Sequence, residues 1–142
     1  MGDYHILMQF DLEASRADVH RALSTQTGIT SWWSKRAALT PEGALRVSFP
    51  GESEAFEFAV AVDTYERVEW VTGDYPVWWG GTTIRWDMSD RPEATGTRLL
   101  FSHRDYDPGN PVIALVTPAW AQIILRLKNY AETGTAQPFF DF

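Results

Sequence analysis

The residues of this chain best suited to chemistry or recognition are three histidines, a carboxylate run and its tryptophans. His5, His20 and His103 are scattered singles, so a three-ligand metal centre is not expected. The chain has no cysteine, which removes disulfides, thiolate sites and a cysteine nucleophile. No phosphate loop, dinucleotide fingerprint or Gly-x-Ser-x-Gly elbow occurs, and no cofactor is expected. His103, Arg104 and Asp105 imitate a proton relay in sequence. Neighbours on a strand point to opposite faces, however, so Arg104 is not expected to join His103. Glu52, Glu54 and Glu57 sit beside a Pro50-Gly51 turn and read as a solvated edge.

The chain is also rich in aromatics: seven Trp, five Tyr and eight Phe in 142 residues. Such rings either fill a core or line a cavity. His103 ends a strand in line with Leu99 and Phe101, so it faces inward. There it is either a core histidine satisfied by a hydrogen bond or a group that orients a ligand or moves a proton. Trp86 and Trp120 offer indole N–H groups to a wall. The expected ligand-facing set is Trp33, Phe58, Trp70, Trp86, Phe101, His103, Trp120 and Ile124, with Phe58, Trp70 and Phe101 closest to plain core. Trp32 and Trp33 are adjacent on a helix, so Trp33 is expected inside and Trp32 partly exposed. Trp78 and Trp79 lie in a Gly/Pro loop that either gates a cavity mouth, docks a partner or folds onto the body.

The elements that must position these residues follow from periodicity. Tyr4–Leu12 alternates as a strand. Ser15 and Asp18 begin a helix over Arg16–Ser24. Thr27 or Thr30 would cap a second short helix carrying Ile29, Trp32 and Trp33. Strands follow at Ala44–Phe49, Glu54–Thr64, Val68–Val71, Thr82–Met88 and Thr97–His103, joined by short links that suggest an antiparallel meander. Thr72–Gly81, Ser89–Gly96 and Asp105–Pro111 read as loops. A helical stripe of Val116, Trp120, Ile123, Ile124, Leu127 and Tyr130 runs to Glu132. Pro118 starts or kinks that helix, and Gly134 stops it. The Phe139, Phe140 and Phe142 tail either folds back or buries itself in a homodimer partner.

The predicted fold class is therefore α+β. A curved antiparallel sheet wraps around a long C-terminal helix, two short helices follow the first strand, and residues 1–142 form one domain. A strongly curved sheet leaves a cavity beside the helix. Net charge is −7, which argues against nucleic acid and anionic membrane surfaces as partners. No apolar run approaches the ~20 residues of a membrane helix. No leader pattern precedes the first strand at Met1–His5, and with no cysteine the expected location is the cytoplasm.

In element order and local motifs the chain resembles the START-like (SRPBCC) superfamily, in particular its branch similar to the activator of heat-shock-protein-90 ATPase. The matching pieces are Val19 with Ala22-Leu23, the paired Trp32-Trp33, the Gly96-Thr97-Arg98-Leu99 strand ending at His103, and Trp120, Ile124, Leu125 and Leu127. Lys128-Asn129-Tyr130 and Glu132-Thr133-Gly134 close the helix in the same pattern. Two places depart from it. Ala119, after Pro118, stands where a Gly is frequent, and His103-Arg104-Asp105-Tyr106 replaces a His-Ser-Gly-aromatic run. The resemblance implies a helix-grip fold and a ligand-binding or chaperone-linked role. Three functions follow as expectations. The first is binding of a small hydrophobic or aromatic molecule. The second is an aromatase, cyclase or dehydratase with His103 as acid/base. The third is a protein-interaction domain acting on a heat-shock ATPase.

Overall fold

Period-two alternation in the sequence becomes an antiparallel sheet whose inner face is apolar. The computed structural model describes residues 4–107 and 109–142; the leader expectation at Met1–Asp3 and the loop proline Pro108 fall outside the described residues. The elements are β1 (Tyr4–Leu12), α1 (Arg16–Ser24), α2 (Gln26–Trp32), β2 (Ala37–Leu39), β3 (Ala44–Val47), β4 (Phe56–Asp63), β5 (Arg67–Thr72), β6 (Thr83–Asp90), β7 (Thr97–Tyr106) and α3 (Val112–Thr133). A short 3-10 turn, Val77–Trp79, lies between β5 and β6. Among the described residues the sheet has seven strands in the order β1-β7-β6-β5-β4-β3-β2. It curves around α3, as expected for an α+β fold of this order.

The outward face carries cross-strand ion pairs: Asp11–Arg98, Glu69–Arg85 and Arg67–Asp87. Half-buried pairs at the edge of solvent add modest stability each, but they mark that face as the wet one. The inward face carries Leu99, Phe101, Ile84, Trp86, Val68, Trp70 and Phe58, all buried. Onto it α3 lays Trp120, Ile123, Ile124 and Leu127 at helical spacing. Pro118 sits inside α3 and does not begin it. Gly134 accepts the left-handed conformation (φ 76°) that ends the helix, and its N–H bonds the Tyr130 carbonyl. Lys128 Nζ donates to the Asp11 carbonyl and to Glu132, so the last turns of α3 are tied to the end of β1. No helix among the described residues is long and apolar enough to cross a membrane.

The two short helices share one residue as hinge and cap. Ser15 Oγ accepts the Asp18 N–H at 3.1 Å, as expected. The cap of α2, however, is Thr25 and neither Thr27 nor Thr30: its Oγ1 accepts from Gly28 N–H and donates to the Arg21 carbonyl. Thr27 is already inside the helix, and Thr30 Oγ1 turns back to the Gln26 carbonyl. With so short a link the helices cross closely at Gly28. A Cβ there would meet the Ala22 carbonyl oxygen at 2.6 Å. Gly28→Ala should therefore destabilise by about 1–3 kcal/mol, despite alanine's better helix propensity. A lowered urea midpoint with unchanged slope is the expected result; a raised midpoint would show that the crossing is loose.

Four further expectations need correction. A short strand, β2, pairs with β3 and had no periodicity long enough to betray it. β6 runs on to Asp90. β7 continues past His103 to Tyr106, because a bulge intervenes: His103 pairs with Ile6 and Tyr106 with Tyr4, three residues against two. Asp105 takes φ 73° within that bulge. The extra residue brings Tyr106 onto the same face as His103. Lastly, Trp32 and Trp33 are both buried, at 0% and 1% exposure. Trp32 Nε1 donates to the Ala22 carbonyl at 2.8 Å. Trp33 occupies the C-cap, one residue past the helix, and stacks on Trp32 at 5.8 Å and 7°.

Candidate functional site

Most of the interior is filled by interlocking rings. Trp86 meets Trp32, Trp70, Phe101 and Trp120, all with centroids within 6 Å. Trp33 stacks on Trp70 at 5.7 Å and 4°. The filling stops at one end of the sheet. There a cavity of about 250 Å3 opens between α3, the end of α2, the β3–β4 loop, the Val77–Trp79 turn and the C-terminal tail. Its wall is Val116, Ala119, Trp120 and Ile123 from α3, Trp33 from the α2 C-cap, and Phe49, Pro50, Glu52 and Phe56 from the β3–β4 region. Trp78, Trp79 and Phe140 complete it. The α3 contribution follows the i, i+3, i+4, i+7 rule for one helix face. Small Ala119 leaves space beside Trp120.

Loop and tail residues are held in place by specific contacts. Phe140 folds back: its N–H bonds the Trp33 carbonyl at 2.9 Å, and its ring meets Phe49 edge-on at 5.0 Å. The tail therefore closes on its own domain. Trp79 is buried, and Trp78 is 39% exposed at the mouth. Asn110 Nδ2 donates to the Trp78 carbonyl at 2.9 Å, linking the turn to the start of α3.

His103 lies behind this wall and is fully buried. Trp120 Nε1–H, which can only donate, points at His103 Nδ1 from 3.1 Å. Nδ1 must therefore accept, and the Tyr106 hydroxyl also reaches it at 3.1 Å. The ring proton then sits on Nε2 and is donated to Thr82 Oγ1 at 2.8 Å. Thr82 passes its own hydrogen to the Trp79 carbonyl at 2.6 Å. Burial holds His103 neutral, with its pKa pushed down to about 3, and pushes the Tyr106 phenol up. The chain of bonds fixes Trp120 and Trp79, two wall residues, to β7 and to Thr82 at the entry to β6.

Searches with the sequence give no matching protein-family model and no matching curated protein. Solved structures do match. The Aha1 dimer from Colwellia psychrerythraea superimposes with a TM-score of 0.79 at 24% identity, over 92% of this chain and 98% of that one. This chain has the helix-grip fold. Protein SSP2350 from Staphylococcus saprophyticus shares the helix grip with a TM-score of 0.76 at 14% identity, over 97% of this chain and 98% of that one. DynU16, a protein of the dynemicin biosynthetic locus, does so at 0.70 and 21% identity; the match takes in 97% of this chain and 51% of DynU16.

Within the helix grip, two residues of the set read from sequence, Trp33 and Trp120, border the cavity. Phe58, Trp86, Phe101, His103 and Ile124 are packed in the core behind it. Trp70 is also core, with one edge on a different hollow, shared with Ser24, Thr40 and Asp63. The physical reason is that the rings of α2 and the sheet fill the centre, so this cavity lies toward the loops. Phe49, Pro50, Glu52, Phe56, Trp78, Trp79, Val116, Ala119, Ile123 and Phe140 were not in that set. Part of the signal was present: an aromatic tail, an aromatic pair in a loop and a Pro-Gly turn all mark loop-borne rings that need a shared burial site.

Ser24, His20 and Asp63 also come together, an arrangement with no sequence motif. His20 Nε2 meets Asp63 at 2.6 Å, but Ser24 Oγ is 3.4 Å from Nδ1, too long for an activating bond. It reads as a surface hydrogen-bonded pair beside a helix end. Among the described residues no cluster of three or more His, Asp or Glu suits a metal ion.

Proposed function

We propose that this protein binds a small hydrophobic or aromatic molecule in the cavity between the sheet and α3. The observation that carries the reading is an unfilled, ring-lined space at the end of an otherwise tightly packed interior. Its volume, about 250 Å3, lies just below the ~300–1,000 Å3 common for ligand sites. It exceeds the ~150 Å3 apolar cavity that accepts benzene. A body of one or two rings is the matching size. Catalysis by His103 is not favoured: both ring nitrogens are engaged by protein groups, and the side chain does not border the cavity. The likeness to Aha1 carries the fold alone, so a heat-shock ATPase is not adopted as a partner.

Titration with a neutral two-ring aromatic, followed by tryptophan fluorescence, tests the proposal. Trp33, Trp78, Trp79 and Trp120 border the site, so binding should produce a saturable change. Ala119→Phe fills the space from α3 and should weaken binding at least about tenfold while leaving the thermal midpoint nearly unchanged. Binding untouched by that substitution would refute the site.

A further inference from the structure

The charge of the ligand can be read from the same cavity; this inference rests on the binding role above. Seven of its lining residues are aromatic: Trp33, Phe49, Phe56, Trp78, Trp79, Trp120 and Phe140. The single ionisable group among the lining residues is a carboxylate, Glu52, and no Lys, Arg or His borders the space. The carboxylate is held in position. Tyr75 O–H donates to Glu52 Oε1 at 2.6 Å, and the Tyr75 ring stands edge-on to Phe56 of the wall at 5.5 Å. The bond raises the Tyr75 phenol, and the nearby charge of Glu54 raises it further.

Aromatic faces are electron-rich and attract cations. A carboxylate at the rim adds a charge-assisted hydrogen bond to an ammonium group. An anionic ligand would meet the same faces and the same carboxylate with no cation to pair it. The overall charge of −7 further favours the approach of cations.

We propose that the cavity selects a cationic amphiphile: a one- or two-ring apolar body among the tryptophans, with a protonated amine placed at Glu52.

Three probes of one shape separate the possibilities: 2-naphthylmethylamine, 2-naphthylmethanol and 2-naphthoate, each titrated by calorimetry. The amine should bind about tenfold tighter than the alcohol, and the acid more weakly than either. The order should persist in about 1 M salt, where screening over ~3 Å removes long-range attraction but not contact. Glu52→Gln keeps an acceptor for the Tyr75 hydroxyl. It should remove most of the amine's advantage over the alcohol and leave the alcohol unchanged. An acid that binds as well as the amine, or an amine preference undiminished by Glu52→Gln, would overturn the charge assignment while leaving the cavity as a neutral apolar site. Failure of all three probes, the alcohol included, would overturn the binding role and the assignment with it.

Discussion

Between about pH 6.5 and pH 4.5, this protein should lose roughly 1.4 kcal/mol of stability per pH unit through His103 alone. The unfolded imidazole takes up a proton near 6.5. The folded one resists until about 3, because it is buried. The contribution is thus complete above about 6.5 and declines as pH falls through the window. Over its whole span it amounts to roughly 5 kcal/mol, a large part of the ~5–15 kcal/mol of a typical domain. The geometry supplies the reason a proton is refused: a proton on Nδ1 would face the Trp120 N–H, which has no lone pair to offer. Below about 4.5 other groups join. Asp11 is held low first by its hydrogen bond to Arg98. Glu132 is opposed by desolvation but held low by Lys128 and the Glu13 N–H. Both lose their contribution as they are protonated. Urea unfolding at a series of pH values should therefore show His103→Leu with a flatter slope than the parent between pH 6.5 and 4.5, whatever its absolute stability. If that variant does not fold, nitrogen NMR of the parent decides: His103 should stay neutral, with its proton on Nε2, at pH 5. A ring that titrates near 6.5 would contradict the account.

Trp86→Ala should cost about 3–5 kcal/mol, the range for removing a large buried ring. Trp86 touches rings from α2, β5, β7 and α3, so its removal leaves a void that neighbours on four elements cannot collapse into. Its indole N–H is buried and finds no acceptor among the described residues, which is a standing cost. Trp86→Phe removes that donor along with part of the ring and should cost clearly less than Trp86→Ala. Chemical denaturation measures both. A loss below about 1 kcal/mol for the alanine variant would mean that the centre is not close-packed and that the cavity extends into it.

The strands other than β2, together with α1 and the long α3, were legible because alternation, a Ser15 cap and a Gly134 stop are local signals. Trp33 and Trp120 were legible as wall residues because both sit on inward faces of elements that meet. What could not be read was which inward ring fills space and which borders it. That depends on how closely α3 approaches the sheet, a tertiary quantity. Trp32 was misplaced because its burial depends on one acceptor, the Ala22 carbonyl, supplied by another helix. Tyr106 joined His103 through a bulge at Asp105, a left-handed residue with no glycine to announce it. Glu52 and Phe140 came to the cavity on a loop and a tail, where periodicity carries no information.

The central claim is that the ring-lined space beside α3 is a binding site. A crystal structure of the protein soaked with a neutral two-ring aromatic tests it most directly. The account predicts density for the compound between Trp33, Trp79 and Trp120, beside Ala119, and none at that place in Ala119→Phe. Density only in the hollow beside Ser24 and Asp63, or no bound compound at saturating concentration, would contradict it.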